Sequence, residues 1–167
     1  MDGTIDMIRI LASSRVLIGL TLVLIAYIMI SKLYIRNKSR MLIISKFLIG
    51  YLWLNIALVI TRSFHKNYST INIRKVAFLL ISIVLIYSLY YFTSYINDQQ
   101  IFNLDGIDEN ETNILKIYGH FVYFTMSILS TATLGDTLPN TLNIKFIITT
   151  QYIVGLSIFT ILITKAL

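Results

Sequence analysis

From Asn113 to Pro139 the chain reads NILKIYGHFVYFTMSILSTATLGDTLP. Asn113 to Leu129 reads as a helix, whereas Ser130 to Pro139 is polar and turn-rich, containing Gly135, Asp136 and Pro139. This stretch does not fit a simple membrane span. Irregular backbone at membrane depth is tolerated only where it is buried in protein or lines water. A half-helix that enters, a loop that returns, and the apolar run from Leu142 to Leu167 that follows together make a re-entrant loop. No second copy of this segment exists, and the linker Ser31 to Arg40 is too short to hold one.

The rest of the sequence agrees with a membrane setting. Of 167 residues, 56% are hydrophobic and 13% charged, and the mean hydropathy is +0.76. A soluble domain of this size cannot hide so much apolar surface. Cysteine is absent, which excludes disulfides and thiolate metal sites. His65 and His120 stand alone, without acidic neighbours at ligand spacing, so no histidine metal site is expected. The net charge of +6 comes from basic residues that flank apolar runs, a pattern that suits lipid headgroups rather than nucleic acid. Asp2 and Asp6 occupy the place of a basic n-region, so the first apolar run is read as retained rather than as a cleaved signal.

Several apolar runs reach the roughly 20 residues that the hydrocarbon demands. Residues 1–61 hold two peripheral spans, Val16 to Ile35 and Met41 to Thr61; the second includes Ser45, Asn55 and a snorkelling Lys46. A basic loop, 62–75, separates these from a module over 76–167. That module begins with an outer helix, Val76 to Ile96, whose Tyr87, Tyr90, Tyr91, Phe92 and Tyr95 read as an interfacial aromatic belt. A polar, acidic loop over 97–112 follows, with Asp98, Asp105, Asp108, Glu109 and Glu111, which either concentrates cations or is merely solvated, then a short helix over 113–130, the loop, and an inner helix over 142–167.

The run Tyr123 to Asp136, ending Thr131-Ala132-Thr133-Leu134-Gly135-Asp136, resembles the pore helix and selectivity filter of tetrameric potassium channels, whose usual filter reads T-V-G-Y-G-D. Pro139, Thr141, Lys145 and Gly155 follow Asp136 by three, five, nine and nineteen residues, places where family members often carry proline, threonine, a basic residue and a hinge glycine. The likeness covers about fifty residues, His120 to Leu167. It implies an all-α membrane protein with four transmembrane helices, a re-entrant pore helix and a filter loop, assembled as a homotetramer. In such a filter, backbone carbonyls replace the hydration shell of a cation. The resemblance gives that role to Thr131, Ala132, Thr133, Leu134 and Gly135, with Asp136 at the outer mouth hydrogen-bonded by Tyr123.

Thr133 and Leu134 depart from the family pattern, standing where glycine and tyrosine are usual. The family glycine adopts φ > 0, a conformation that costs a β-branched residue about 1–3 kcal/mol per subunit. Leu134 lacks the phenol that commonly braces the filter. The implied function is therefore a passive monovalent cation channel, potassium-preferring or weakly selective, with K+ and Na+ as permeating ions and no cofactor. The alternative is a non-conducting, channel-like scaffold or regulatory subunit. Ser127, Ser130 and Asp136 lack a base, so no enzymatic activity is expected.

In the inner helix, Gly155 serves as a hinge or as a close-packing residue. Extending the alignment places Tyr152, Leu156, Phe159, Thr160 and Ile163 on one helical face as the inner cavity and gate, where Phe159 and Ile163 form a constriction that closes by dewetting. No arginine recurs at every third residue, so strong voltage gating is not expected, and a gating partner would be a separate protein or lipid. With the filter mouth outside a cell membrane, four spans leave both termini in the cytoplasm. Arg62, Lys66, Arg74 and Lys75 then lie inside, but Lys32, Arg36, Lys38 and Arg40 lie outside, against the positive-inside rule. Either the pore module overrides this bias or one early segment does not cross.

Overall fold

The computed structural model describes residues 19, 22, 38–64, 73–105, 107, 112–130 and 137–166. Apart from the helical Gly19 and Leu22, the predicted span Val16 to Ile35 lies outside these residues. The described elements are α1 (Lys38–Phe64), α2 (Ile73–Asn97), a 3-10 turn (Gln99–Ile101), β1 (Phe102–Leu104), α3 (Ile114–Leu129), β2 (Thr137–Pro139) and α4 (Leu142–Ala166). Among the described residues, three stretches are long and apolar enough to cross a membrane: Lys38–Ala57, Val76–Asn97 and Leu142–Thr160. The chain is accordingly a largely helical membrane protein.

α1 and α2 run antiparallel. The Ser45 hydroxyl, near the start of α1, lies 3.0 Å from that of Thr93, near the end of α2. Lys38 and Arg40 therefore sit at the same end of the subunit as Asn97, β1 and β2, hereafter the rim. α1 is itself long and apolar enough to cross a membrane.

α2 is the centre of the packing. From Ile86 to Ile96 every residue is buried, because α1 covers one side and α3 the other. Its aromatics are not the interfacial belt that their position near the helix end suggested. Tyr91 meets Phe124 at 5.2 Å and Phe102 at 5.8 Å between ring centroids, Phe92 meets Tyr118 at 5.6 Å, and Tyr95 meets Phe121 at 5.7 Å. These tilted and edge-to-face contacts form the core between α2, α3 and β1, where burial of ring area adds to the favourable ring geometry.

The first part of the acidic loop, Gln99 to Leu104, is likewise structured. Asp98 accepts a bond from Gln100 N at 3.1 Å and so starts the 3-10 turn. β1 then inserts Phe102, only 4% exposed, into the aromatic core and pairs antiparallel with β2, Phe102 opposite Pro139 and Leu104 opposite Thr137. Asn140 closes the join: its backbone N–H donates to Ile101 O at 2.9 Å and its side chain to Gln100 O at 3.0 Å.

Candidate functional site

α3 is too short to cross a membrane: its 16 residues extend about 24 Å at 1.5 Å per residue. Its start is fixed by Asn113, whose side-chain oxygen accepts from Leu115 N at 3.1 Å and Lys116 N at 3.3 Å, satisfying amides that the first turn leaves open. Its end is fixed by Ser130, whose N–H donates to Met126 O at 2.9 Å and whose hydroxyl donates to Ser127 O at 3.1 Å.

The chain then comes back. His120 Nε2 and Thr137 Oγ1 are 2.7 Å apart, although His120 precedes the end of α3 by nine residues, about 14 Å of helix. Residues 131–136 are all that connects Ser130 to Thr137. Seven extended steps reach about 23 Å, enough for this return. The half-helix therefore enters from the rim and its continuation regains the rim, where β2 pairs with β1 and α4 sets off.

A buried polar node holds the lower part of α3. Gln151 of α4, with no exposed surface, accepts from the Tyr91 hydroxyl through Oε1 at 2.8 Å and donates through Nε2 to Thr125 O at 2.9 Å. Ser88 and Thr125 bring their hydroxyls to 3.1 Å, and those of Tyr87 and Thr150 are 3.3 Å apart. Ser88 lies nine residues from Asn97 and Gln151 nine from Leu142, each about 13 Å from the rim. That depth is near the middle of a roughly 30 Å hydrocarbon layer, where a polar group has no water to turn to and must be satisfied within the protein. The node thus ties α2, α3 and α4 together just above the end of the half-helix. The polar residues of this set were passed over in the sequence; the one signal was Gln151 interrupting an apolar run.

Gly155 lies close to the end of α3. A β-carbon placed on it would stand 3.2 Å from Leu129 Cδ2, and α4 continues helical through this point. The geometry gives Gly155 a close-packing role at the contact with α3. On the exposed face of α4, Leu156, Phe159 and Ile163 are 57%, 44% and 60% exposed. Thr160 is exposed as well, and Tyr152 half-buried. This face points away from the buried Gln151, Val154 and Ile158. Tyr123 is exposed too, on a stripe of α3 with Leu115, Gly119 and Met126. Thr131, Ala132, Thr133, Leu134, Gly135 and Asp136 lie outside the described residues. Among the described residues no cluster of histidine and carboxylate side chains is arranged to hold a metal ion.

No protein-family model matches the chain, and neither a curated protein nor a solved structure matches it.

Proposed function

We propose that this chain is one subunit of a tetrameric, passive monovalent cation channel in which residues 131–136 of each copy form the ion path. The observation that carries the reading is the return of the chain from Ser130 to Thr137, alongside the half-helix α3 and between two helices of spanning length. A six-residue connection in that setting needs neighbours other than lipid, and four copies around an axis supply them. The TATLGD sequence gives the segment its chemistry, a series of carbonyls offered to a dehydrated cation. The unpartnered apolar stripes of α3 and α4, around Tyr123 and Phe159, supply surfaces for neighbouring copies and for an inner cavity.

In this reading the rim is the outer mouth at the cell membrane, both termini are cytoplasmic, and K+ passes in preference to Na+ or alongside it. The test is ion flux through the purified protein in planar bilayers under opposed K+ and Na+ gradients, with Thr133→Gly in parallel. A reversal potential near that of K+ supports a selective filter. A value near zero that moves toward K+ in the variant supports weak selectivity caused by Thr133. Silence from a verified tetramer in both proteins, across voltages, removes the channel reading and favours a scaffold subunit.

A further inference from the structure

A groove of about 510 Å³ opens where α1 passes the first turns of α4. Its apolar walls are Ile49, Tyr90, Leu142, Phe146 and Ile147, and Lys46 also lines it. A second groove of about 630 Å³ runs along α1 past Ile43, Phe47, Gly50 and Leu54, and Lys46 lines this one too. One cation thus stands between two apolar troughs. The described carboxylates of this end, Asp98 and Asp105, line neither of them.

The depth of Lys46 fits this arrangement to a membrane. Its neighbour Ser45 meets Thr93, which lies four residues before the last residue of α2, about 6 Å below the rim end of that span. A lysine rooted at that level lays its stem along apolar surface and brings its ammonium to the phosphate layer. Ile49 and Leu54 lie deeper along α1, at the level of acyl chains. Lys38, Arg40 and Lys145 add positive charge at the same end, so the surface around the troughs favours a headgroup with net negative charge over a zwitterionic one.

We propose that these troughs bind one anionic phospholipid of the rim-side leaflet, its phosphate on Lys46 and an acyl chain in each trough. The site requires only that the chain sits in a membrane, and it stands whether or not the pore conducts.

The test uses the full chain, extracted from bilayers of equal phosphatidylglycerol and phosphatidylcholine, with retained lipid counted by native mass spectrometry. The wild type is expected to keep phosphatidylglycerol in preference. Lys46→Gln is expected to lower that retention about fivefold, the factor that roughly 1 kcal/mol per basic residue at an anionic surface corresponds to. Lys46→Arg retains it, and Lys38→Gln, which removes a cation that lines neither trough, lowers it by less than Lys46→Gln does. Equal retention of the two lipids, or equal losses in Lys46→Gln and Lys38→Gln, overturns the proposal. A photoreactive benzoylphenylalanine at position 146 gives a second measurement that does not depend on the folding of the lysine variants. A phospholipid adduct supports the site, whereas cross-linking to a second copy shows that protein fills the groove and overturns it.

Discussion

The side-chain amide of Gln151 donates to the carbonyl of Thr125 at 2.9 Å, joining α4 to α3 three-quarters of the way along the half-helix. The same amide accepts from Tyr91, so three helices depend on one side chain. Gln151→Leu leaves the Tyr91 hydroxyl buried without this acceptor, at a cost of about 1–3 kcal/mol. Tyr91→Phe alone removes the hydroxyl and strands the amide oxygen. The two changes combined cost less than their sum, with a coupling of about 0.5–3 kcal/mol. Unfolding of the three variants in detergent measures this cycle, and strict additivity would show that the node is not an energetic unit.

Gly155 makes a second, sharper prediction. The atom that an added methyl group would meet is the far end of the Leu129 side chain, which can shift, so Gly155→Ala alters stability by less than about 1 kcal/mol. Gly155→Val overpacks the contact and costs about 1–3 kcal/mol. Leu129→Ala in the valine background recovers part of that loss. If Gly155→Ala instead changes open probability with little effect on thermal stability, the residue acts as a hinge as well as a packing site.

At the rim, Asn140→Ala removes the bond to Gln100 O and is expected to cost about 0.5–1.5 kcal/mol. Because the backbone bond to Ile101 survives, β1 and β2 loosen rather than part. Amide exchange over 102–104 and 137–139 rises first, while exchange in the core of α2 stays at the wild-type rate. Equal acceleration in both regions would mean that the rim does not open on its own.

On the exposed face of α4, Phe159→Ser tests the proposed inner gate. A polar residue at an apolar constriction favours wetting, so the variant is expected to raise single-channel open probability while leaving the reversal potential unchanged. No change in opening would place Phe159 against lipid or a neighbouring helix.

The helices themselves were largely legible. Met41 to Thr61, Val76 to Ile96 and Leu142 to Leu167 announce spans because an apolar run of that length has few other uses, and the structure extends or trims each by only a few residues. The start of α3 was legible to within a residue, Asn113 being its cap rather than its first helical residue, with a side chain bonding to amides two and three residues ahead. The inside of the molecule was harder to read. A helix apolar on every side carries no periodic mark of which face is covered, so Tyr87 to Tyr95 looked like a belt at the lipid interface although they form the core. β1 has three residues and a partner more than thirty residues away, too little for an alternating pattern to appear. Gln151 was visible as a polar residue in an apolar run, but nothing nearby in sequence names Tyr91 or Thr125 as its partners. The chemistry assigned to Thr131 through Asp136 rests on their order in the sequence and on the two fixed points that bracket them.

Those two points make the connection a bridge of set span. One abutment is Ser130, bonded back into the last turn of α3; the other is Thr137, held by His120 and by the pairing of β2 with β1. Exchanging a side chain between them retunes the bridge without altering its reach. Adding a residue supplies about 3.3 Å of further chain between the same two supports. Length and composition are therefore separate variables here: the two supports set the distance that residues 131–136 have to cover, while the identities of those residues, Thr133 and Leu134 included, set what the interval offers chemically.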